Sequence, residues 1–279
     1  MIHIVADSTC DLPFEEQQQM GVRLVPIVIQ FGEESYQDGV TITHEEFYDR
    51  LEKSETLPTT AAPPPALFED VFHQCLQDGG EVICVTMGQN FSATNQSAQI
   101  AARDVSPERI HVVDSHNGSA GAALLIREAY RMAKQGDKTA GEIAEALREL
   151  APRVHLYALL DTMKYLWRSG RISRGAGLVG NMLSIKPIMR VLNNSIEAAG
   201  MTRGEKGGVN ALKRFLDKHK PDLRYGVAFF NGNVAGRMES LISEIKPLLG
   251  DAAIYRSSFS GAVGTNTGPG IVGMAYVAL

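Results

Sequence analysis

The sequence predicts an α/β protein in which an N-terminal parallel-sheet α/β domain is joined to a C-terminal α+β domain. Three observations carry this reading. The first half alternates short apolar runs, each bounded by turn residues, with helical patterns, and such alternation builds a parallel sheet covered on both faces. The second half loses that alternation and places two strand-like runs on either side of Asn193-Asn194, which reads as a β-hairpin. A chain of 279 residues has room for about two domains. The change of order sets the boundary just after Pro152, giving domains of 1–153 and 154–279.

The first-half strand runs are Ile2 to Ala6, Leu24 to Phe31, Val82 to Thr86 and Ile110 to Val113. Each is short, apolar and closed by turn residues, as buried strands are. Helical patterns fall between them at about 43–53, 64–78, 93–104, 118–135 and 139–150. The second half reads as a strand over Val154 to Leu160 and a helical, glycine-rich stretch to about 182. The hairpin arms follow, Ser184 to Leu192 and Ser195 to Met201. A helix over 205–219, a strand over 224–231, a helix over 234–248 and strands over 252–257 and 271–278 finish the chain. This order predicts antiparallel pairing in the second domain.

Apolar residues at 44% and charged residues at 21% are ordinary for a globular protein. The net charge of −5 argues against a surface built for nucleic acid. No apolar stretch is long enough to span a membrane. The start, with Asp7 and no basic region before it, does not read as a signal peptide. The cysteines at 10, 75 and 84 form neither a paired framework nor a zinc spacing, so a reduced, cytoplasmic setting without a bound metal is expected. Charge is uneven: residues 164–206 carry eight Lys or Arg against Glu197 and Glu205, a net +6 that leaves −11 elsewhere. Such a segment is either a solvated face or a docking surface for an acidic partner or an anionic membrane.

Polar residues cluster at the ends of the first-half strands. Asp7-Ser8-Thr9, the run Thr86 to Ser92, and Asp114-Ser115 all follow apolar runs. In a parallel sheet such loops share one edge, where ligands bind. Helix capping accounts for any one of them but less well for all three. The segment Pro58-Thr59-Thr60-Ala61-Ala62-Pro63 presents threonine hydroxyls on a stiffened backbone. Gly264 to Gly270 reads as either a tight turn or an anion-binding nest to which Asn266 and Thr267 add donors. Gly175 to Gly180 spells GxGxxG but follows no plausible strand, so it is rejected as a nucleotide site. No GxSxG or HExxH is present, and His116, the one histidine at the expected sheet edge, reads as a loop residue rather than a base.

Taken in order, these blocks resemble the DegV family of bacterial fatty-acid-binding proteins. The opening Asp7-Ser8-Thr9-Cys10-Asp11-Leu12-Pro13 resembles the family's D-S-T-x-D-L-P. Pro58 to Pro63 resembles its T-S-Q-P loop with Thr60 in the Thr place, and Phe91 to Ala98 resembles L-S-G-T-x-x-S-A. Val113-Asp114-Ser115, Leu160 to Leu166 with Gly170-Arg171-Ile172, Ser184 to Ile188 and Asn266 to Gly270 resemble further blocks along the rest of the chain.

The resemblance implies a two-domain protein holding a long-chain fatty acid in its interior near the domain interface. It implies that Thr60 and Ser92 hold the carboxylate, and it brings Asn266, Thr267 and Arg171 into the ligand-binding set. It also implies no catalytic role, no cofactor beyond the acid itself, and presentation of the acid to the catalytic subunit of a separate fatty acid kinase. Three departures stand out: Asn266 replaces the family His, Ala61 and Ala62 replace Ser and Gln, and Ala93 replaces Gly. Asn still donates a hydrogen bond but carries no charge near neutral pH. A C16 acid has about 14 methylenes, whose burial offers about 11 kcal/mol before association costs, so neutral donors suffice to orient the head. The rival readings are an acyl- or phosphoryl-transfer enzyme and a lipid-sensing regulatory protein. Met182, Leu183, Ile185, Ile188 and Met189 are the apolar candidates for a tunnel wall.

Overall fold

The computed structural model of the chain describes residues 1–172 and 185–279. The first half runs β1 (Ile2–Asp7), α1 (Phe14–Met20), β2 (Arg23–Val25), β3 (Val28–Phe31), β4 (Glu34–Gln37), α2 (His44–Lys53) and β5 (Thr59–Ala61). It continues through α3 (Pro65–Leu76), β6 (Glu81–Thr86), α4 (Thr94–Val105), β7 (Ile110–Asp114), α5 (Ser119–Gln135) and α6 (Ala140–Leu150). The second half holds β8 (Val154–Leu159), α7 (Lys164–Ser169), β9 (Ile185–Leu192), β10 (Ser195–Arg203) and α8 (Gly204–Lys218). β11 (Val227–Asn231), α9 (Ala235–Ile245), β12 (Ile254–Ser258), α10 (Gly261–Thr267) and β13 (Val272–Val277) complete it.

A parallel sheet of order β2-β1-β6-β7 forms the N-terminal domain, as the alternation predicts. Its strands bury both faces by turns. Val5, Val82 and Cys84 point to the layer of α3 and α4, while Ile4, Ala6, Ile83 and Val85 join the core built around α5 and α6. Helix starts are set locally. Thr43 and Thr139 each accept from the N–H of a glutamate three residues on, and that glutamate returns to the threonine, the capping box that fixes the first turns of α2 and α6.

A six-stranded sheet of order β10-β9-β8-β13-β11-β12 forms the C-terminal domain. Its pairing is antiparallel except that β11 and β12 run parallel, so the sheet is mixed. The hairpin is where the sequence places it. Leu192 pairs with Ser195, and Asn193 and Asn194 have φ of 49° and 58°, the left-handed pair that a tight two-residue hairpin turn requires. α5 lies between the two sheets, touching β1 and β6 on one side and β8, β11 and β13 on the other. Its alanines 120, 122, 123 and 129 are buried, which suits a helix enclosed by sheet on two sides.

Two expectations are corrected. The single strand over Leu24 to Phe31 is two strands: Pro26 has no N–H to continue a ladder. β2 therefore stays in the parallel sheet, and β3 turns away into a small antiparallel sheet of order β4-β3-β5. The Gly264 segment is no anion-binding nest but the end of α10. The Gly264 N–H donates to the Ser260 carbonyl at 2.8 Å and the Gly268 N–H to the Gly264 carbonyl at 2.7 Å. These backbone donors are thus consumed by the helix, and the Gly270 N–H donates to the Gly232 carbonyl at 2.9 Å. The GxGxxG segment lies outside the described residues.

Candidate ligand-binding site

A cavity of about 310 Å³ lies where the two sheets meet α10, within the size range of small-molecule pockets. The carboxyl edge of the parallel sheet supplies Thr9, Met87 and the loop carrying Phe91 and Ser92. The six-stranded sheet supplies Leu156, Met189, Val191 and Ile196. Strand β5 and the residue after it bring Thr60 to Ala62, and α10 brings Ala262, Val263, Asn266 and Thr267. Thr60, Ser92, Arg171, Asn266 and Thr267 all border this one space. Arg171 is the sole formally charged residue among the described lining residues.

Local structure decides how each side chain is presented. Thr60 pairs with Ile29 across β3 and β5. It is half-buried where its neighbours Thr59 and Ala61 are exposed, so strand alternation turns Thr60 inward. Ser92 precedes α4. Its hydroxyl accepts from the Thr94 N–H at 3.3 Å and lies 2.8 Å from the Thr94 hydroxyl. Asn266 Nδ2 donates to the Ala262 carbonyl at 3.0 Å and keeps a second N–H. The Thr267 hydroxyl donates to the Val263 carbonyl at 3.0 Å, so its single proton is engaged within α10. Arg171 Nη1 donates to the Ser169 carbonyl at 2.6 Å, which ties the guanidinium to the turn after α7.

Behind these residues lie three buried aspartates. Asp7 Oδ2 accepts from the Met87 N–H at 2.7 Å and Oδ1 from the Thr9 N–H at 3.0 Å, joining the ends of β1 and β6. Burial raises its carboxyl above the ordinary value, against the pull of these donors. Asp11 accepts from the Ser260 N–H at 2.8 Å at the start of α10, and burial pushes its carboxyl well up. Asp38 accepts from the Ser8 hydroxyl at 2.8 Å and is raised to about 6 by burial.

The strand-end loops thus do converge, and the residues around the cavity beyond the five named above include Thr9, Asn117, Ser119 and Phe259. Thr9 falls in the opening Asp7 to Pro13 block at the sheet edge, whereas no short motif marks Asn117, Ser119 or Phe259. Of the apolar candidates, Met189 lines the cavity, whereas Ile188 faces the opposite core. Ile185 is not a lining residue, and Met182 and Leu183 lie outside the described residues. His116 is half-buried and does not border the cavity. Among the described residues no cluster could hold a metal ion, and no helix is long and apolar enough to cross a membrane.

Fold and cavity together define a two-domain α/β protein with a largely apolar interior chamber at the domain interface. The chain belongs to the DegV family: the model of that family, described as uncharacterised, matches residues 1–279. It is 32% identical to a DegV domain-containing protein of Caldanaerobacter subterraneus, over 99% of this chain and 98% of that one. It is similar to a DegV family protein of Thermus thermophilus described for fatty acid binding, with 26% identity, a TM-score of 0.88, and coverage of 100% and 99%. A stearic-acid-binding protein of Eubacterium ventriosum is similar at 26% identity, with a TM-score of 0.87 and coverage of 100% and 98%.

Proposed function

We propose that the protein binds one long-chain fatty acid in this cavity, its carboxylate at Thr60, Ser92 and Asn266 and its tail against Leu156, Met189 and Val191. The observation that carries this is the chemistry of the wall: an apolar chamber whose polar donors are neutral apart from Arg171. Either hydroxyl of the Ser92–Thr94 pair can donate, and with Thr94 donating the Ser92 proton is left for the ligand. Thr60 adds a hydroxyl and Asn266 an N–H. Thr267 shapes the wall, since its proton is held by Val263, and Arg171 supplies the positive charge near the head. The homologous fatty-acid-binding structures support the reading.

The protein acts as a carrier rather than an enzyme. No histidine, carboxylate, lysine, tyrosine or cysteine lines the cavity among the described residues, so no side-chain general base faces a reacting group there. The acid is then presented to a separate kinase, as the family resemblance implies. Within the basic segment, Lys186 is paired with Asp161 and Glu205, and Arg190 with Glu197. The exposed Lys164, Arg168, Arg203 and Lys206 are left to face an acidic partner or an anionic membrane surface.

The double variant Thr60→Ala with Ser92→Ala tests the assignment. Two hydrogen bonds to a charged head contribute about 1.5–3 kcal/mol each, so palmitate affinity should fall about a hundredfold or more with the melting temperature retained. Unchanged affinity in a folded double variant refutes the hydroxyl site.

A further inference from the structure

Asp114 and the Asn193-Asn194 turn stand out in the sequence, yet neither Asp114 nor Asn194 borders the cavity. The structure brings them together across the domain interface. Asn194 is 8% exposed. Its Nδ2 donates to Asp114 Oδ2 at 2.7 Å, and its backbone N–H donates to the His116 carbonyl at 3.0 Å. Its own carbonyl accepts from Asn90 Nδ2 at 3.1 Å. Asp114 Oδ1 meanwhile accepts from the His116 N–H at 2.9 Å and the Gln89 N–H at 3.3 Å. The hairpin tip of one domain is therefore bonded to the end of β7 and to the loop that follows β6 in the other.

That loop carries Phe91 and Ser92 to the cavity wall. It passes so close to the hairpin that a Cβ on Gly88 would lie 2.3 Å from Asn194 Oδ1 and 2.9 Å from the Phe91 ring. Gly88 also donates to the Asn117 carbonyl at 2.7 Å and accepts from the Phe91 N–H at 2.9 Å. The same hairpin brings Met189, Val191 and Ile196 to the opposite wall. These polar contacts at Asn194 thus join the Ser92 side of the chamber to the β9–β10 side.

We propose that Asn194 and Asp114 are positioning residues, an interdomain clasp that holds the 88–92 loop so that the Ser92 hydroxyl meets the ligand head. The proposal rests on the fatty-acid reading above. Neither residue touches ligand, and both act through Ser92.

The test follows oleic acid leaving the full-length protein to albumin, in the wild type, S92A, N194G, N194G/S92A and the exchange D114N/N194D. Glycine keeps the positive φ at 194 without strain, so N194G deletes only the side chain. Loss of a hydrogen bond to a charged group should speed release about tenfold. S92A should cost about tenfold in the wild type but under about threefold in N194G, because Ser92 is no longer held in place. The exchange keeps one carboxylate and one amide in contact, with the amide oxygen still able to take the Gln89 and His116 N–H groups. It should restore release to within about threefold of wild type. Should N194G not fold, N90A removes the neighbouring bond to the Asn194 carbonyl and should show the same loss of the S92A effect. Additive effects of S92A and N194G, or an exchange variant that melts like wild type yet releases as fast as N194G, overturn the clasp. A wild-type protein that takes up no fatty acid overturns the binding reading itself, and the clasp's role with it.

Discussion

The two faces of the six-stranded sheet come from alternate residues of the same strands, yet they are finished differently. On one face Tyr157, Phe229, Met274 and Tyr276 are fully buried in a core closed by α8 and α9. On the other, Ala158, Ala228 and Ala275 pack toward the alanine-rich α5, and farther along Leu156, Met189 and Val191 border open space. Leu156 sits opposite Val191, and Ala158 opposite Met189, in the β8–β9 register, so the open stretch is a continuous patch on neighbouring strands. The chamber here is a core left unfilled, not a feature added to a finished fold.

That contrast sets an order of effects. Phe229→Ala on the closed face removes a buried ring and leaves a void, and should cost about 3–5 kcal/mol in urea unfolding. A cost under about 1 kcal/mol would mean the closed face is as loose as the open one. Asp38 lies under α10, the helix that covers the open side. Burial raises its carboxyl from 3.8 to about 6, so the native state binds the proton more tightly than the unfolded chain. The stability this contributes is complete below pH 4 and is lost as the pH rises through 6. The stability difference between wild type and D38N should accordingly shrink by about 2 kcal/mol between pH 4 and pH 7. A difference that is flat, or that grows with pH, contradicts the buried placement. Met189→Ala on the open face should be the mildest, at or below the ~2 kcal/mol lower bound for such truncations in the ligand-free protein, because the side chain already borders empty space.

Much of this was legible in the residues. Alternation gave the parallel sheet, and Asn193-Asn194 gave the hairpin because few residues tolerate two successive positive φ angles. Strand period distinguishes Ile188 from Met189 but does not say which face stays open, since that depends on what packs opposite. The Gly264 to Gly270 segment reads as a turn or a nest rather than a helix end, and glycines such as 261 and 264 disfavour a helix. They are there for space: a Cβ on Gly264 would lie 2.8 Å from the Phe47 ring and the Tyr48 hydroxyl, and one on Gly261 2.9 Å from Phe47. Close packing overrides propensity there. The residues gathered at the cavity are far apart in sequence, so only the family resemblance could assemble Thr60, Ser92 and Asn266 before the fold did. The Asp114–Asn194 contact spans eighty positions and left no sequence signal of its own.

Native mass spectrometry of the purified chain, followed by denaturation and lipid extraction, tests the central claim most directly. The account predicts one bound mass per chain that resolves on extraction into a long-chain fatty acid. A chain that is empty, and stays empty after incubation with saturated and unsaturated long-chain acids, would contradict it and mark Ala61, Ala62 and Asn266 as the signs of a different ligand.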